Sequence, residues 1–509
     1  MTFASRKLIS PAFSPTPSLR PGNTAEILVS SDVPAGIEAV GYLVGTTGTV
    51  PEELRVDRDA LRHAGFEGKV GQTLLLPQPE SPALIAVGAG ERTPTVSALR
   101  DLAATFARAG HRYHRIGLVV GDDVGTDSTL IGQALAEGVL LARYRYTELQ
   151  TAPKHVPLVS CDFVVAPARI EQVAAGAGVG RILARATNLA RDLANTPPGH
   201  LTAVDLGEQT LQLGQTHGLE VSLFNKQHLI ELGCGGLLGV NAGSAEEPLM
   251  IQITYRPPAS ASAAAPTHLA LVGKGIMYDS GGISLKPSDP MHFAMKMDMA
   301  GAAAVLGVMT ALGELDCRHT VTARLMCTDN MPSGSAMKLG DVLTIRGGTT
   351  VEIKNSDAEG RLVMSDALAL AAEEGADAII DIATLTGAAL MALGTHTAAL
   401  FGNNQVLIDQ GLAASLATDE SVWQLPLEHR YREQLDSHVA DMSNMGGKYA
   451  GSTTAALFLE EFVDGIPWLH FDIAGTMQAE KDDLWRSQGA TGFGTRLLIE
   501  LIRRFVPVR

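Results

Sequence analysis

The stretch that decides the fold reads Leu269-Ala270-Leu271-Val272-Gly273-Lys274-Gly275-Ile276-Met277-Tyr278-Asp279-Ser280-Gly281-Gly282. It opens with four apolar residues, as a strand buried on both faces does, and then brings in glycines and two charged residues. Charges among glycines just after a buried strand are typical of the sites of open α/β sheets. The stretch therefore predicts a strand at 269–272, followed by Lys274 and Asp279. Solvated loop charges would be the simpler explanation for a lone lysine.

Short apolar runs alternate with segments of helical periodicity on both sides of this stretch. Before it, strands are predicted at residues 25–29, 39–44, 74–76, 83–87 and 116–120, and helices at 95–109 and 128–142. Around and after it, strands are predicted at 249–255, 321–327, 351–353 and 378–382, and helices at 301–312 and 362–373. The alternation predicts an α/β protein of two domains, each a mixed sheet flanked by helices.

A helix is predicted to link the two domains. Apolar residues recur at helical spacing over 169–195, with arginines 181, 185 and 191 on other faces, and a Thr-Pro-Pro-Gly sequence stops the pattern at 196–199. We expect an N-terminal domain at 1–168, the linking helix at 169–195 and a catalytic domain at 196–509. The helix could also belong wholly to one domain. Residues 257–266, rich in Ala, Ser and Pro, are expected to form a surface excursion.

The composition of the chain limits the kinds of partner and the cellular compartment that we expect. Lys plus Arg is 39 and Asp plus Glu is 55, a net charge of −16, which argues against nucleic acid as the main partner. The 4 cysteines form no C-x-x-C pair, so we expect buried free thiols in a reducing compartment. Neither a secretory signal nor a long uncharged apolar run is evident, so we expect no membrane partner and a cytoplasmic protein.

Two further segments carry acidic residues. Asp298 lies in Met295-Lys296-Met297-Asp298-Met299 before an Ala-rich helix, where alone it would be a helix cap. Asp357 and Glu359 are separated by one residue and precede another helix, where they could hold divalent cations or offset the helix dipole. Three aspartates, a glutamate and two lysines in short Gly-rich motifs are hard to explain as separate caps. H-E-x-x-H, G-x-S-x-G and phosphate-loop motifs are absent from the sequence.

Taken together, these motifs resemble the leucyl aminopeptidase family of dinuclear metallopeptidases. Its hallmark octapeptide N-T-D-A-E-G-R-L corresponds to Asn355-Ser356-Asp357-Ala358-Glu359-Gly360-Arg361-Leu362, with Ser356 in place of Thr. The similarity extends from Asn195 to Gly492 and is much weaker before about residue 170.

The resemblance implies a complete set of site residues. The ligands of a tightly held metal ion would be Lys274, Asp279, Asp298 and Glu359, and those of a more exchangeable one Asp279, Asp357 and Glu359. The ions would be Zn²⁺ or Mn²⁺, with Mg²⁺ and Co²⁺ also suited to such ligands. Lys286 and Arg361 would be catalytic, with bicarbonate held at Arg361.

Substrate and assembly follow from the same resemblance. The substrates would be peptides with a free N-terminus, Leu and Met types preferred, and the assembly a homohexamer. The residues expected at the substrate are Met295, Thr384, Leu385, Gly387, Ala474 and Met477, although ordinary core packing would equally explain the methionines. The alternatives are a dipeptidase preferring Cys-Gly, a non-catalytic scaffold relative and a nucleotide-binding enzyme, the last disfavoured by the missing phosphate motifs.

Overall fold

The computed structural model describes residues 9–79, 82–91, 94–121, 124, 127–258 and 267–508. The chain divides into two compact units. We call Thr16–Asn188 with Ala479–Gly489 the N-terminal unit. The C-terminal unit comprises the described residues of Leu189–Gln478 and Ala490–Arg509, with those that precede Thr16.

The N-terminal unit is a mixed sheet with helices packed on it. Its strands are β1 (Glu26–Ser30), β2 (Ala39–Gly45), β3 (Thr73–Leu76), β4 (Ala83–Gly90), β5 (Arg115–Val119) and β6 (Ser160–Val164). Its helices are α1 (Arg58–His63), α2 (Val96–Ala109), α3 (Ser128–Ala142) and α4 (Ile170–Asn195), the last of which continues into the C-terminal unit. The sheet order is β1-β6-β5-β2-β4-β3, and β3 alone runs antiparallel to its neighbour. Thr95 and Asp127 cap α2 and α3, as their sequence positions favour.

The C-terminal unit contains the remaining elements. Its helices are α5 (Ala203–His217), α6 (Lys226–Leu232), α7 (Gly235–Asn241), α8 (Pro290–Phe293), α9 (Ala300–Ala311), α10 (Gly360–Glu373), α11 (Gly387–Leu393), α12 (Gln405–Thr418), α13 (Gly451–Glu460) and α14 (Thr495–Arg503). Its strands are β7 (Glu220–Phe224), β8 (Leu249–Tyr255), β9 (His268–Asp279), β10 (Thr320–Asn330), β11 (Val342–Thr344), β12 (Thr350–Glu352), β13 (Ala378–Ala383), β14 (Ala398–Gly402), β15 (Val422–Gln424), β16 (Met442–Ser443), β17 (Trp468–Asp472), β18 (Gln478–Ala479) and β19 (Gly489–Ala490).

An eight-stranded mixed sheet forms the centre of this unit, in the order β15-β14-β17-β13-β9-β10-β8-β7. The middle strands β17, β13, β9 and β10 are parallel, and antiparallel pairs lie on either side of them. Because β13 and β17 are buried along their whole length, they consist mainly of apolar residues. Parallel neighbours end at the same edge of the sheet, and that edge is where the polar motifs collect.

The predicted end of the strand at 272 is wrong. Strand β9 continues to Asp279, so Lys274 lies inside the strand and Asp279 is its last residue. The glycines that resembled a loop are required by close packing instead. A Cβ at Gly273 would lie 2.7 Å from the Cα of Ala302, and one at Gly275 would lie 2.8 Å from the Sγ of Cys327.

Other expectations have mixed outcomes. The strand at 249–255 and the helix at 128–142 have the predicted bounds, whereas α10 begins two residues before the predicted start at 362. Most of the predicted excursion at 257–266 lies outside the described residues. All four cysteines are buried and unpaired. Among the described residues, one helical stretch, Pro290–Ala311, has the length and apolarity to cross a membrane, but 83% of its apolar window is buried inside the fold, as in a core helix.

Candidate metal centre

Three carboxylates from separate segments meet in the C-terminal unit. Asp279 ends β9, Asp298 lies two residues before α9, and Glu359 immediately precedes α10. Each offers a ligand oxygen, and these oxygens lie within 4.8 Å of one another. All three side chains are buried. Neither Asp298 nor Glu359 serves as a helix cap, because the residue at the α9 cap is Met299 and the Glu359 side chain makes no capping hydrogen bond.

The register of β9 explains how Lys274 and Asp279 come to face the same way. Side chains alternate along a strand, so residues five apart normally point to opposite faces. The pairing of β9 with β10 is regular up to Ile276 and then skips Met277. This β-bulge adds one residue and returns Asp279 to the face of Lys274.

Lys274 is enclosed by acidic and carbonyl oxygens. Its Nζ lies 2.8 Å from Asp298 Oδ1 and 2.8 Å from Glu359 Oε1, and it donates to the carbonyl of Thr384 at 2.9 Å. Burial opposes a charged ammonium, but the surrounding carboxylates outweigh it and raise the pKa of Lys274.

Lys286 occupies a second position beside the same carboxylates. Its Nζ lies 2.9 Å from Asp279 Oδ2 and 2.6 Å from Asp357 Oδ1. Its pKa is also raised, since the attraction of these carboxylates exceeds the effect of burial. Burial and the negative charges of Asp279 and Glu359 raise the pKa of Asp357 to about 6, despite the nearby Lys286. The structure thus brings Lys274, Asp279, Asp298, Asp357, Glu359 and Lys286 into one cluster.

Two carboxylate oxygens of this cluster indicate whether its residues could bind a metal ion. Asp298 Oδ2 and Glu359 Oε2 are buried and have no hydrogen-bond partner among the described residues. A buried carboxylate oxygen without a partner is unfavourable by about 1–3 kcal/mol or more. Carboxylate oxygens are also the donors that divalent cations prefer. The cluster therefore fits a divalent cation.

Arg361 lies on the first turn of α10 and is buried. Its Nε and one terminal nitrogen have no hydrogen-bond partner among the described residues. Burial lowers its pKa to about 10, although Glu359 and Asp472 oppose the shift. A buried guanidinium with unused, coplanar donors suits a bidentate anion.

Two glycines allow the backbone to approach the cluster. Gly281 has φ +87°, and a Cβ there would lie 2.8 Å from Asp357 Oδ1. A Cβ at Gly360 would lie 2.5 Å from Lys274 Cε and 2.7 Å from its Nζ. Ser356 links the segment that precedes α10 to the segment that follows β9. Its hydroxyl donates to the Gly281 carbonyl at 2.7 Å and accepts from the Ser284 amide at 2.8 Å. The hydroxyl that Ser shares with Thr is the group that makes these bonds.

Sequence reasoning missed three polar residues that hold the cluster. Asn330 donates to Asp279 Oδ1 at 2.8 Å and to the Ser356 carbonyl at 3.0 Å. The amide of Asn444 donates to the Asn355 carbonyl at 2.6 Å. Asp472 accepts from the backbone amides of three loop residues. The ends of β10 and β17 could have indicated Asn330 and Asp472, but no motif marks Asn444.

The residues predicted at the substrate lie in several places. Thr384 contacts the cluster directly, since its hydroxyl donates to Asp298 Oδ1 at 2.6 Å. Asp472 holds the amides of Leu385 and Ala474 at 3.1 and 3.2 Å. The others lie as follows: Met295 is buried three residues before Asp298, Met477 is buried after β17, and Gly387 is exposed at the start of α11.

Comparison with known proteins decides which family has this arrangement. The profile of the cytosol aminopeptidase family, catalytic domain, matches residues 188–499. The profile of the N-terminal domain of the same family matches residues 58–153. The chain belongs to the cytosol aminopeptidase family. Membership makes it a metal-dependent aminopeptidase, a peptidase of the hydrolase class.

Relatives in this family cover most of the chain. A "Probable cytosol aminopeptidase" of Alkaliphilus metalliredigens is 40% identical over 453 residues, covering 86% of this chain and 89% of the relative. One of Chlorobaculum tepidum is 44% identical over 385 residues, covering 72% and 74%. The predicted family is therefore confirmed.

Solved structures share the fold of this chain. The bottromycin maturation enzyme BotP in complex with Mn is 37% identical, with a TM-score of 0.84, covering 92% of this chain and 99% of that one. A tomato leucine aminopeptidase mutant is 29% identical, with a TM-score of 0.84, covering 95% and 98%. The predicted α/β fold with flanked mixed sheets is confirmed.

Proposed function

We propose that the chain removes N-terminal residues, Leu and Met types foremost, from peptides with a free N-terminus by means of two divalent cations. The proposed ligands are Lys274, Asp279, Asp298, Asp357 and Glu359. The observation that carries the proposal is a pair of buried oxygens, Asp298 Oδ2 and Glu359 Oε2, which have no hydrogen-bond partner in the part of the chain that the structure describes and lie beside a third carboxylate. Zn²⁺ and Mn²⁺ are the cations we expect first, and Mg²⁺ and Co²⁺ also suit oxygen and nitrogen donors.

When bound, two such cations supply a nucleophile of lowered pKa and positive charge for the oxygen that becomes negative in peptide hydrolysis. The chain's own contribution is to hold the ligands in place. Asp279 forms an ion pair with Lys286 and Glu359 forms one with Lys274, and each carboxylate also raises the pKa of the other lysine. As the family resemblance implies, we propose that these two carboxylates would serve both cations.

Lys286 and Arg361 are the proposed catalytic residues. Because its pKa is raised, Lys286 is cationic at neutral pH and can stabilise the oxygen that becomes negative. Arg361, with two donors that lack a partner among the described residues, would hold bicarbonate, which would supply a general base near the cations.

Substrate preference is proposed to come from the loop after β13. Thr384, Leu385 and Gly387 would face the substrate, together with Met295, Ala474 and Met477. Support comes from Asp472, which holds the backbone of Leu385 and Ala474, and from the direct contact of Thr384 with Asp298. An adaptable, Met-lined pocket favours Leu and Met side chains.

Assembly and compartment are proposed from the family. We expect a cytoplasmic homohexamer, whose mass in solution would be six times the 53.5 kDa of one chain. We also propose domain boundaries at 168/169 and 195/196, with α4 as the link. The relatives' description as cytosol aminopeptidases supports the compartment, the family resemblance supports the hexamer, and the passage of α4 from one unit into the other supports its role as the link.

The test combines metal analysis with kinetics. The purified protein is stripped with a chelator, reloaded with Zn²⁺, Mn²⁺, Mg²⁺ or Co²⁺, and assayed on Leu-, Met- and other aminoacyl-p-nitroanilides and on Cys-Gly. We expect activity only after reloading, and highest on Leu and Met. A clear preference for Cys-Gly would favour the dipeptidase alternative.

The variant Glu359→Ala is the most direct test of the proposed metal site, and Glu247→Ala is its control. Glu247 is an exposed glutamate outside the cluster. We expect Glu359→Ala to lose both bound metal and hydrolysis while keeping its circular dichroism spectrum, and Glu247→Ala to keep both. Near-normal turnover of Glu359→Ala would refute the proposed site.

A further inference from the structure

The N-terminal unit contains a cavity of about 270 Å³ that the peptidase site does not use. It lies between the end of α3, one face of α4 and the segments that precede β1 and β6. Part of its lining is apolar and buried, including Leu140, Leu158 and Ala184. The rest of the lining is strongly basic.

Five arginines line this cavity: Arg20, Arg143, Arg145, Arg181 and Arg185. Among the lining residues that the structure describes, Glu148 is the one carboxylate. The lining residues therefore carry a net charge of +4 at neutral pH, in a chain whose net charge is −16, although Arg145 also pairs with Asp482, a carboxylate outside the lining. Like charges gathered around one small cavity repel one another, so such a lining attracts an anion.

Two of the arginines are fixed by the fold. Arg143 is 7% exposed and donates to the carbonyls of Gly110, Tyr113 and Val156 at 3.0, 3.1 and 2.8 Å. Its Nε is buried and has no hydrogen-bond partner among the described residues. Arg20 is held by Glu148, with Nη1 at 2.8 Å from Oε2. These contacts pre-organise positive charge at the cavity wall.

Helix α4 supplies the other side. Arg181, Arg185 and Asn188 are spaced by four and three residues, which places them on one face of the helix, and all three line the cavity. Two of the three arginines that break the apolar pattern of α4 therefore lie at this cavity, whereas the third, Arg191, donates to the Thr491 carbonyl.

His155 also lines the cavity, and its pKa responds to the positive charge there. Burial, with Arg143 and Arg145 nearby, lowers the pKa of His155 to about 4. The imidazole is therefore uncharged at neutral pH and can donate one hydrogen bond to an anion. Asn188 adds a neutral amide donor.

We propose that this cavity is a binding site for a small anionic metabolite that carries phosphate or carboxylate groups. Guanidinium groups bind both anions with paired, charge-assisted hydrogen bonds. The apolar part of the lining accommodates the non-ionic part of such a molecule, and the volume suits a small molecule rather than a macromolecule.

The test is isothermal titration calorimetry on the full-length, metal-loaded protein at low ionic strength. Inorganic phosphate and succinate are titrated separately, so that the two arms distinguish a phosphate from a dicarboxylate ligand. Each is repeated on the variant Arg181→Ala/Arg185→Ala and on the control Arg112→Ala, an exposed arginine outside the cavity. Alanine favours helix, so α4 should fold in the double variant, and its melting temperature checks this.

We expect one of the two anions to bind the wild type with a Kd of about 1 mM or tighter. Since a charge-assisted hydrogen bond contributes about 1.5–3 kcal/mol, the double variant should bind at least about tenfold more weakly. The control should bind like the wild type, and all three proteins should hydrolyse Leu-p-nitroanilide equally. Equal anion binding by the folded double variant, or no binding of either anion by the wild type, would overturn the proposal. If the double variant changes its oligomeric mass but binds the anions as the wild type does, the arginines belong to an interface and the proposal is also overturned.

Discussion

Lys274 and Lys286 share the same carboxylates but differ in exposure and partners. The side chain of Lys274 is 3% exposed and enclosed by Asp298 and Glu359, whereas that of Lys286 is 17% exposed. Lys274 would be a ligand as the neutral amine, a form that cations bound to the same carboxylates would favour by opposing the ammonium. A partly exposed ammonium at the edge of the same group can meet a substrate oxygen. The contrast underlies the different roles that we propose for the two lysines.

Replacing Lys286 by alanine should lower turnover far more than substrate affinity. Loss of one group that stabilises a developing oxyanion typically lowers kcat by about 10²–10³-fold. The measurement is steady-state kinetics on Leu-p-nitroanilide, with Lys286→Arg as the conservative variant that retains charge. If KM rises while kcat stays normal, Lys286 binds substrate and has no oxyanion role.

Gly360→Ala should damage the site without removing any ligand atom. The added Cβ would lie 2.5 Å from Lys274 Cε, so the lysine or α10 must shift. Overpacking of this kind costs about 1–3 kcal/mol, and we expect weaker metal retention and reduced turnover. Gly334→Ala is the matched control, because a Cβ there meets nothing within 4 Å. Equal metal content and activity in both variants would contradict the close approach.

Among the secondary-structure elements, the paired strands β13 and β17 hold a buried polar group that the chemistry does not use. Asp381 accepts from Trp468 Nε1 at 2.7 Å and lies 2.5 Å from His470 Nδ1. Burial disfavours a charged imidazole, but Asp381 outweighs it and raises the pKa of His470. The strands are therefore joined by an ion pair as well as by the backbone ladder.

This ion pair predicts a pH dependence of stability. A raised native pKa stabilises the fold fully below the unfolded value of about 6.5, and this stability is lost as pH rises through the native pKa. The melting temperature of the wild type should therefore fall between pH 6 and 8 by more than that of His470→Gln. Parallel pH profiles of the two proteins would show that His470 does not bind a proton in the fold.

The elements also show how far sequence reasoning reaches. Apolar runs and helical periodicity located most strands and helices, because apolar residues recur in the sequence at the spacing with which each element buries its side chains. The end of β9 was missed because Gly273 and Gly275 resemble a loop, and only the neighbouring helix and strand reveal why glycine is needed. The acidic residues of the cluster lie in recognisable motifs. Asn444 could not be found, since its partner Asn355 is 89 residues distant in sequence.

On the scale of the whole molecule, each unit has its own buried core. Large apolar side chains such as Phe106 and Phe163 form the N-terminal core, and Phe458 and Trp468 belong to the C-terminal one. The cluster of buried carboxylates lies entirely in the C-terminal unit. Burial of these carboxylates and the repulsion among them, which together raise the pKa of Asp357, oppose the folding of the C-terminal unit and leave the N-terminal unit unaffected.

Metal removal should therefore destabilise the C-terminal unit selectively. A ligand at about 100 times its Kd stabilises the native state by about 2.7 kcal/mol. Scanning calorimetry with and without chelator should show one transition that moves to lower temperature and one that stays. Glu359→Ala should show no such shift, and an equal shift in that variant would place the stabilising metal elsewhere.

The extra residue in β9 makes chain length itself a determinant of activity. Asp279 shares a face with Lys274 only because Met277 is inserted into the pairing with β10. Deleting Met277 would turn Asp279 to the opposite side of the sheet and leave every ligand present in the sequence. Homologues that carry a one-residue gap here could thus keep all the hallmark residues and still be inactive, so a count of conserved motifs is an unsafe guide to which members of the family are working enzymes.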